Sequence, residues 1–206
     1  MVDQRAEIVE KSGGIYPPYE IFYLLHIRTL CERFVIAYMD FANRVEAGDQ
    51  DDALFSLQEA MGHAAALSRL FWPVDKGALA KARGGKLRMA FGLDGESVLK
   101  DRSLRNALEH FDENLDAYLL GNVVGQFVPS FIGLASEIPE HFKVLRLLDP
   151  TTEDFYLLGE KFPYGTMRVA IGELYERVCY LDDNGARLRP PSADDHAQST
   201  DAPNGV

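Results

Sequence analysis

The sequence predicts a mainly α-helical fold: a bundle of about four long helices with a β-hairpin inserted before the last. Three observations predict it. Apolar residues recur every three or four positions over four stretches, near 20–46, 51–71, 97–120 and 165–181. Two short β-prone runs, 142–148 and 154–160, flank the turn Asp149-Pro150-Thr151-Thr152 just before the last of them. The chain has 206 residues, 47% hydrophobic and 26% charged, enough for one sizeable core. We therefore expect a single helical domain over 1–182, with the hairpin at about 142–160, and a disordered tail over 183–206.

Met1 to Tyr19 reads as a lead-in, with Ser12-Gly13-Gly14 and Tyr16-Pro17-Pro18-Tyr19 as breakers. In the first long helix, Leu24, Ile27, Cys31, Phe34, Tyr38, Phe41 and Val45 form one stripe, and Arg28 and Glu32 are spaced to pair. Gly48 to Asp52 makes a short turn whose acidic residues suit the start of the next helix. That helix carries the stripe Leu54, Leu57, Met61, Ala64, Ser68 and Phe71 and stops at Trp72-Pro73. So short a connection makes an antiparallel hairpin.

Between Asp75 and Asp94 the composition changes. Lys76, Lys81, Arg83, Lys86 and Arg88 follow with no acid among them, broken by Gly84-Gly85. This segment reads as a basic loop with a short helix in it, whose Lys81, Arg83, Lys86 and Arg88 would contact phosphates. The third long helix has Leu104, Leu108, Phe111, Leu115 and Tyr118 on one stripe and ends at Gly121-Asn122. Residues 123–141 mix Val, Phe and Ile with Pro129, Gly133 and Pro139 and receive no assignment; if part of 123–132 pairs with the hairpin, a small sheet results. Met167, Ala170, Ile171, Leu174 and Val178 line the last helix. Beyond Asp182 the chain is nearly devoid of large apolar residues.

The totals exclude some classes. A net charge of −11 argues against a protein that coats nucleic acid with its whole surface, though not against a local basic site. Cys31 and Cys179 read as buried thiols in a reducing compartment, and no zinc motif can be built from them. The first ten residues have the charges of no signal peptide, and no run approaches the roughly 20 apolar residues of a membrane span. A cytoplasmic protein with no membrane contact is expected.

Chemistry is sought in Arg105, Asn106 and His110, polar residues that the third helix does not need for its apolar stripe. Asn106 and His110 are four apart and stack on one face, whereas Arg105 and His110 point about 140° apart. A long Arg side chain, or a crevice completed by another subunit, would bring them to one phosphate. Cleaving RNA without a metal needs a base for the 2′-hydroxyl proton, an acid for the leaving oxygen and a cation for the charge building on phosphorus. Histidine suits both proton transfers near neutral pH, arginine grips phosphate oxygens, and asparagine can orient either. One His per chain is few for both roles, but a two-fold dimer brings a pair.

Arg105-Asn106-Ala107-Leu108-Glu109-His110 resembles the motif of the HEPN superfamily, an Arg, a polar residue often Asn, and a His after four to six intervening residues. The resemblance implies a small helical bundle that works as a metal-independent endoribonuclease in toxin–antitoxin, defence or RNA-processing systems. It implies that Arg105 and His110 are catalytic and that Asn106 supports them, with RNA as substrate, no cofactor, and an antitoxin or other protein as partner. We expect a homodimer formed through the helix that bears Arg105 and His110. Asp112 stands two positions after the His, where superfamily toxins silenced by nucleotidylation carry Tyr. Two other classes compete. His26, His63 and His110, one on each long helix, with Glu59 four residues before His63, could meet around a metal ion. Alternatively, the chain is a non-catalytic scaffold whose helix faces bind a partner.

Overall fold

The computed structural model describes residues 4–101 and 103–192. It is mainly helical, with a small sheet before the last helix. Helix α1 (Gln4–Ser12) leads through Gly13-Gly14 to the expected hairpin of α2 (Glu20–Ala47) and α3 (Gln50–Phe71). Gly48 ends α2 in the left-handed conformation, φ 78°, which an L side chain would resist, and its N–H returns to the carbonyls of Arg44 and Val45. Helix α3 is the centre of the molecule. Leu54, Leu57, Ala60, Met61, Leu67 and Phe71 are sealed from solvent, and α3 packs against α2, α4, α5, α7 and the sheet. Cys31 lies in this core, and burial pushes its thiol up to about 12, so it stays neutral. Cys179 is half-buried and also a free thiol.

Three stretches depart from the expectation. The basic segment forms one regular helix of 14 residues, α4 (Ala78–Phe91), rather than a loop with a short helix in it. Gly84-Gly85 does not break it. Gly84 is buried within α4, where a Cβ would come 2.7 Å from Pro73 Cδ and 2.8 Å from the Phe71 carbonyl. The glycine lets α4 cross close to the end of α3. The third long helix is two short ones, α5 (Ser103–Glu109) and α6 (Phe111–Gly121), so the bundle of four long helices is not what forms. The chain bends at His110, φ −111° and ψ 35°. The bend follows from a change of packing partner. Leu104 and Ala107 of α5 are buried, and α5 packs against α3, whereas in α6 the Tyr118 hydroxyl donates to the Val144 carbonyl of the sheet at 3.1 Å.

The third departure is in the strands. The unassigned stretch supplies β1 (Gln126–Ile132), which runs parallel to β2 (Phe142–Asp149). The expected second strand, 154–160, ends early. It forms β3 (Asp154–Leu157), turns at Leu158 and Gly159, and continues as β4 (Glu160–Pro163). Both turn residues have positive φ, 51° and 83°, as a two-residue hairpin with the strands' twist requires. The four strands lie in the order β1-β2-β3-β4, with β2–β3 and β3–β4 antiparallel. Ile132, Leu148, Phe155, Leu157 and Phe162 carry one sheet face into the core. Helix α7 (Tyr164–Asp183) then returns along α2.

Glu20, at the start of α2, is a buried carboxylate. Lys86 of α4 meets it at 2.7 Å, Arg187 at 3.3 Å, and the Leu188 N–H donates to it at 2.9 Å. Of the segment expected as a tail, residues 184–192 therefore run back along the start of α2, with Ala186 and Leu188 against the core. Residues 193–206 lie outside the described residues.

Candidate functional site

The Asp101 carboxylate accepts hydrogen bonds from the Ser103 N–H and hydroxyl, both at 2.8 Å, and so starts α5. Burying Leu104 and Ala107 fixes the rotation of that helix, which leaves Asn106, Glu109 and His110 exposed. Glu109 is tied to Arg69 of α3 by an ion pair. His110 occupies the bend itself. Its N–H donates to the Asn106 carbonyl at 3.0 Å, and its own carbonyl accepts from the Asn114 N–H at 2.9 Å, so its backbone is held from both sides. Its imidazole is 57% exposed, with Nδ1 3.6 Å from a carboxylate oxygen of Glu113. An exposed pair at that distance contributes about 0–1 kcal/mol to stability. The packing of the fold does not require this side chain. Arg105 belongs to α5, but its side chain lies outside the described residues.

Beside α5, a groove of about 600 Å³ opens between Leu108 and the α2–α3 hairpin. Asp40, Asp52 and Glu59 line it around Arg44. Arg44 binds Asp40 at 2.7 Å and Asp52 at 2.8 Å, and the Ser56 hydroxyl donates to Asp40 at 2.5 Å. The Ser56 and Arg44 bonds hold the Asp40 carboxyl below the usual carboxylate range. The groove wall is thus acidic, and so is the outer side of α6, with Asp112, Glu113 and Asp116 exposed.

The structure does not gather the four basic residues of the former loop into one patch. Lys81 is exposed. Arg83 is half-buried and its Nε is enclosed without a hydrogen-bond partner. Lys86 is committed to Glu20 and donates to the Ser12 and Ile15 carbonyls at 2.9 and 3.1 Å. Arg88 donates to the Phe71 carbonyl at 2.5 Å and stacks over Trp72. Lys86 and Arg88 therefore hold the fold together rather than face a substrate. Helix α4 packs chiefly against α1, α3 and α7, and α5 against α3 and α6.

A half-buried cation escaped the sequence reading. Arg146 of β2 donates to Gln58 Oε1 at 2.8 Å and lies over the Phe55 ring, 4.2 Å from its centre. Burial lowers its pKa from the usual arginine value. A charged residue inside the apolar run Val144 to Leu148 was the available signal.

The three histidines do not converge on a metal ion. His26 and His110 are exposed on separate elements, and His63 Nε2 lies 3.9 Å from Glu59 with no hydrogen-bond partner among the described residues. Among the described residues no three His, Cys, Asp or Glu side chains are placed to hold a metal. The physical reason is that α2, α3 and the bend meet through apolar stripes, which turn these polar side chains away from one another. Among the described residues no helix is long and apolar enough to cross a membrane. Comparison of the chain with family models, with curated proteins and with solved structures gives no match.

Proposed function

We propose that this chain is a HEPN-like, metal-independent endoribonuclease of a toxin–antitoxin, defence or RNA-processing system, and that His110 carries its proton transfer. The observation that supports the reading is the position of His110: solvent-accessible, held at the α5–α6 bend by its backbone, and flanked by Glu113 at Nδ1. In the proposed reaction the substrate 2′-oxygen attacks the adjacent phosphorus. The O2′–P bond forms as the P–O5′ bond breaks, leaving a 2′,3′-cyclic phosphate and a 5′-hydroxyl. His110 takes the 2′-hydroxyl proton or delivers one to the leaving O5′, and water makes the other transfer. Arg105 holds the non-bridging oxygens, and Asn106, one turn before His110 and exposed like it, orients substrate or imidazole. Of the basic residues, Lys81 and Arg83 remain for substrate contact.

The test is purified protein with total RNA in excess EDTA, beside the Arg105→Ala and His110→Ala variants. The expected result is cleavage that persists in EDTA, leaves cyclic phosphate ends and falls about 10²–10⁴-fold on loss of His110. Cleavage that needs a metal, or that survives His110→Ala, contradicts the reading. A second reading, a non-catalytic helical interaction protein, is favoured by one observation, the apolar side chains on the solvent face of α2.

A further inference from the structure

The chain has two cysteines, Cys31 on α2 and Cys179 on α7, and both are free thiols. Three contacts show how these helices meet. The Phe41 and Tyr164 rings lie 6.0 Å apart, the Arg168 guanidinium sits 5.8 Å from the centre of the Tyr38 ring, and Arg28 Nη1 is 2.8 Å from Asp182. Positions on α2 fall from 41 to 28 as their partners on α7 rise from 164 to 182, so the helices run antiparallel. Cys31 is three residues after Arg28, and Cys179 is three residues before Asp182. The register therefore brings the two thiols to neighbouring levels of one helix contact.

Both side chains belong to the packed side of that contact. Cys31 is sealed from solvent on the core stripe of α2, and Cys179 packs against the same core. A negative charge on Cys179 reaches Cys31, where it adds to burial in pushing that thiol up. Packed helices have axes about 8–10 Å apart and Cα atoms about 2.3 Å from each axis, which leaves opposed Cα atoms about 3.5–5.5 Å apart. A disulfide joins Cα atoms roughly 4.4–6.8 Å apart. The two thiols differ in access. Cys179 is half-buried, so a small oxidant in solvent reaches it, whereas the fully enclosed Cys31 is reached only from within the protein.

We propose that Cys31 and Cys179 are a redox-modification site, which hydrogen peroxide closes into an intramolecular disulfide between α2 and α7. The half-buried Cys179 reacts first. Its sulfur attacks one peroxide oxygen, the O–O bond breaks, and the other oxygen leaves as water, so that Cys179 becomes a sulfenic acid. The Cys31 sulfur then attacks the Cys179 sulfur. The S–S bond forms as the S–O bond breaks, and the departing hydroxide takes the Cys31 proton to leave as water. Two thiols are oxidised, one peroxide is reduced and two waters are released. The bond closes a ring over 31–179 that includes α3, α4 and the sheet, and it fastens α7, with the segment 184–192 behind it, to α2. Closing so long a loop stabilises the fold. The α5–α6 bend takes no part, so the site is independent of the nuclease reading.

The experiment treats the full native chain, reduced beforehand, with a modest excess of hydrogen peroxide, beside Cys31→Ala and Cys179→Ala. Intact mass and thiol alkylation after denaturation are read, together with the melting temperature of each sample. The wild-type chain is expected to lose two hydrogens, take up no alkylating agent and melt about 5 °C or more higher, all reversed by dithiothreitol. Cys31→Ala stops at a sulfenic acid that dimedone captures on Cys179, and Cys179→Ala keeps its thiol reduced under the same treatment. A wild-type chain that keeps both thiols, takes Cys179 alone on to sulfinic acid, or links two copies through Cys179 overturns the proposal. So does a disulfide that lowers the melting temperature, because it shows that the two sulfurs are not placed to meet in the fold.

Discussion

Single residues decide how the elements of this fold are joined. Gly14 has φ +90°, and a Cβ there would sit 2.3 Å from the Arg83 backbone nitrogen of α4. Gly14→Ala combines a strained backbone with a clash that a flexible side chain cannot relieve. Its expected cost is about 3 kcal/mol, a fall of roughly 6–12 °C in Tm for a chain of this size. Thermal unfolding measures it. Asp149 has a similar role at the end of β2. Its carboxylate is buried and accepts from the Ala135 N–H at 2.9 Å, the Thr151 N–H at 3.0 Å and the Thr152 N–H at 3.4 Å. These bonds, that from Ala135 first, hold its pKa below the usual carboxylate value of about 3.9. A carboxylate depressed in the folded state contributes stability that is complete above its unfolded pKa and disappears as the pH falls through the folded one. Asp149→Asn should therefore lower the urea midpoint at pH 7 and narrow its gap from the wild-type chain below about pH 4. An unchanged gap at pH 3 would show that the charge of Asp149 is immaterial.

At the level of elements, legibility in the sequence followed the number of faces each element buries. Helices α2, α3 and α7 each bury a stripe along nearly their whole length, and their periodicity placed them within a few residues. The stretch 97–120 kept that periodicity too, through Leu104, Leu108, Phe111, Leu115 and Tyr118, yet it bends at His110. The stripe showed what is apolar but not that its first half packs on α3 and its second half on the sheet. Strand β1 was legible only as an alternative, part of 123–132 joining the hairpin in a small sheet, because Pro129 and Gly133 hide a strand at the sheet edge, where a missing N–H is tolerated. Gly84-Gly85 carried a signal of opposite sense, since a glycine that permits close approach looks in sequence like one that breaks a helix. Of the candidate site, Asn106 and His110 were found as exposed polar residues, whereas the fixing of Lys86 by Glu20 joins positions 66 apart and leaves no local trace. The link between α5 and α3 can be tested directly. Leu104 is 4% exposed, and Leu104→Ala should cost about 2–5 kcal/mol. Hydrogen exchange should report faster opening of α5 than of α3 in that variant, whereas uniform loosening of both would deny that Leu104 anchors α5 alone.

At the scale of the whole molecule, a charge of −11 and the proposed nucleic-acid substrate pull in opposite directions. Bringing a phosphodiester to His110 past Glu109, Asp112 and Glu113 requires Arg105 and neighbouring cations to offset local repulsion. Raising the salt concentration screens both signs, so nuclease activity should depend on salt less steeply than binding by a basic protein does. The measurement that bears most directly on this account is the rate at which the purified chain cleaves a labelled RNA in excess EDTA, compared with His110→Ala. The account predicts cleavage in the wild-type chain, cyclic phosphate at the new 3′ ends and a loss of about 10²-fold or more in the variant, with unchanged thermal stability because the imidazole is exposed. Equal cleavage by the two proteins, or none by either, would contradict it.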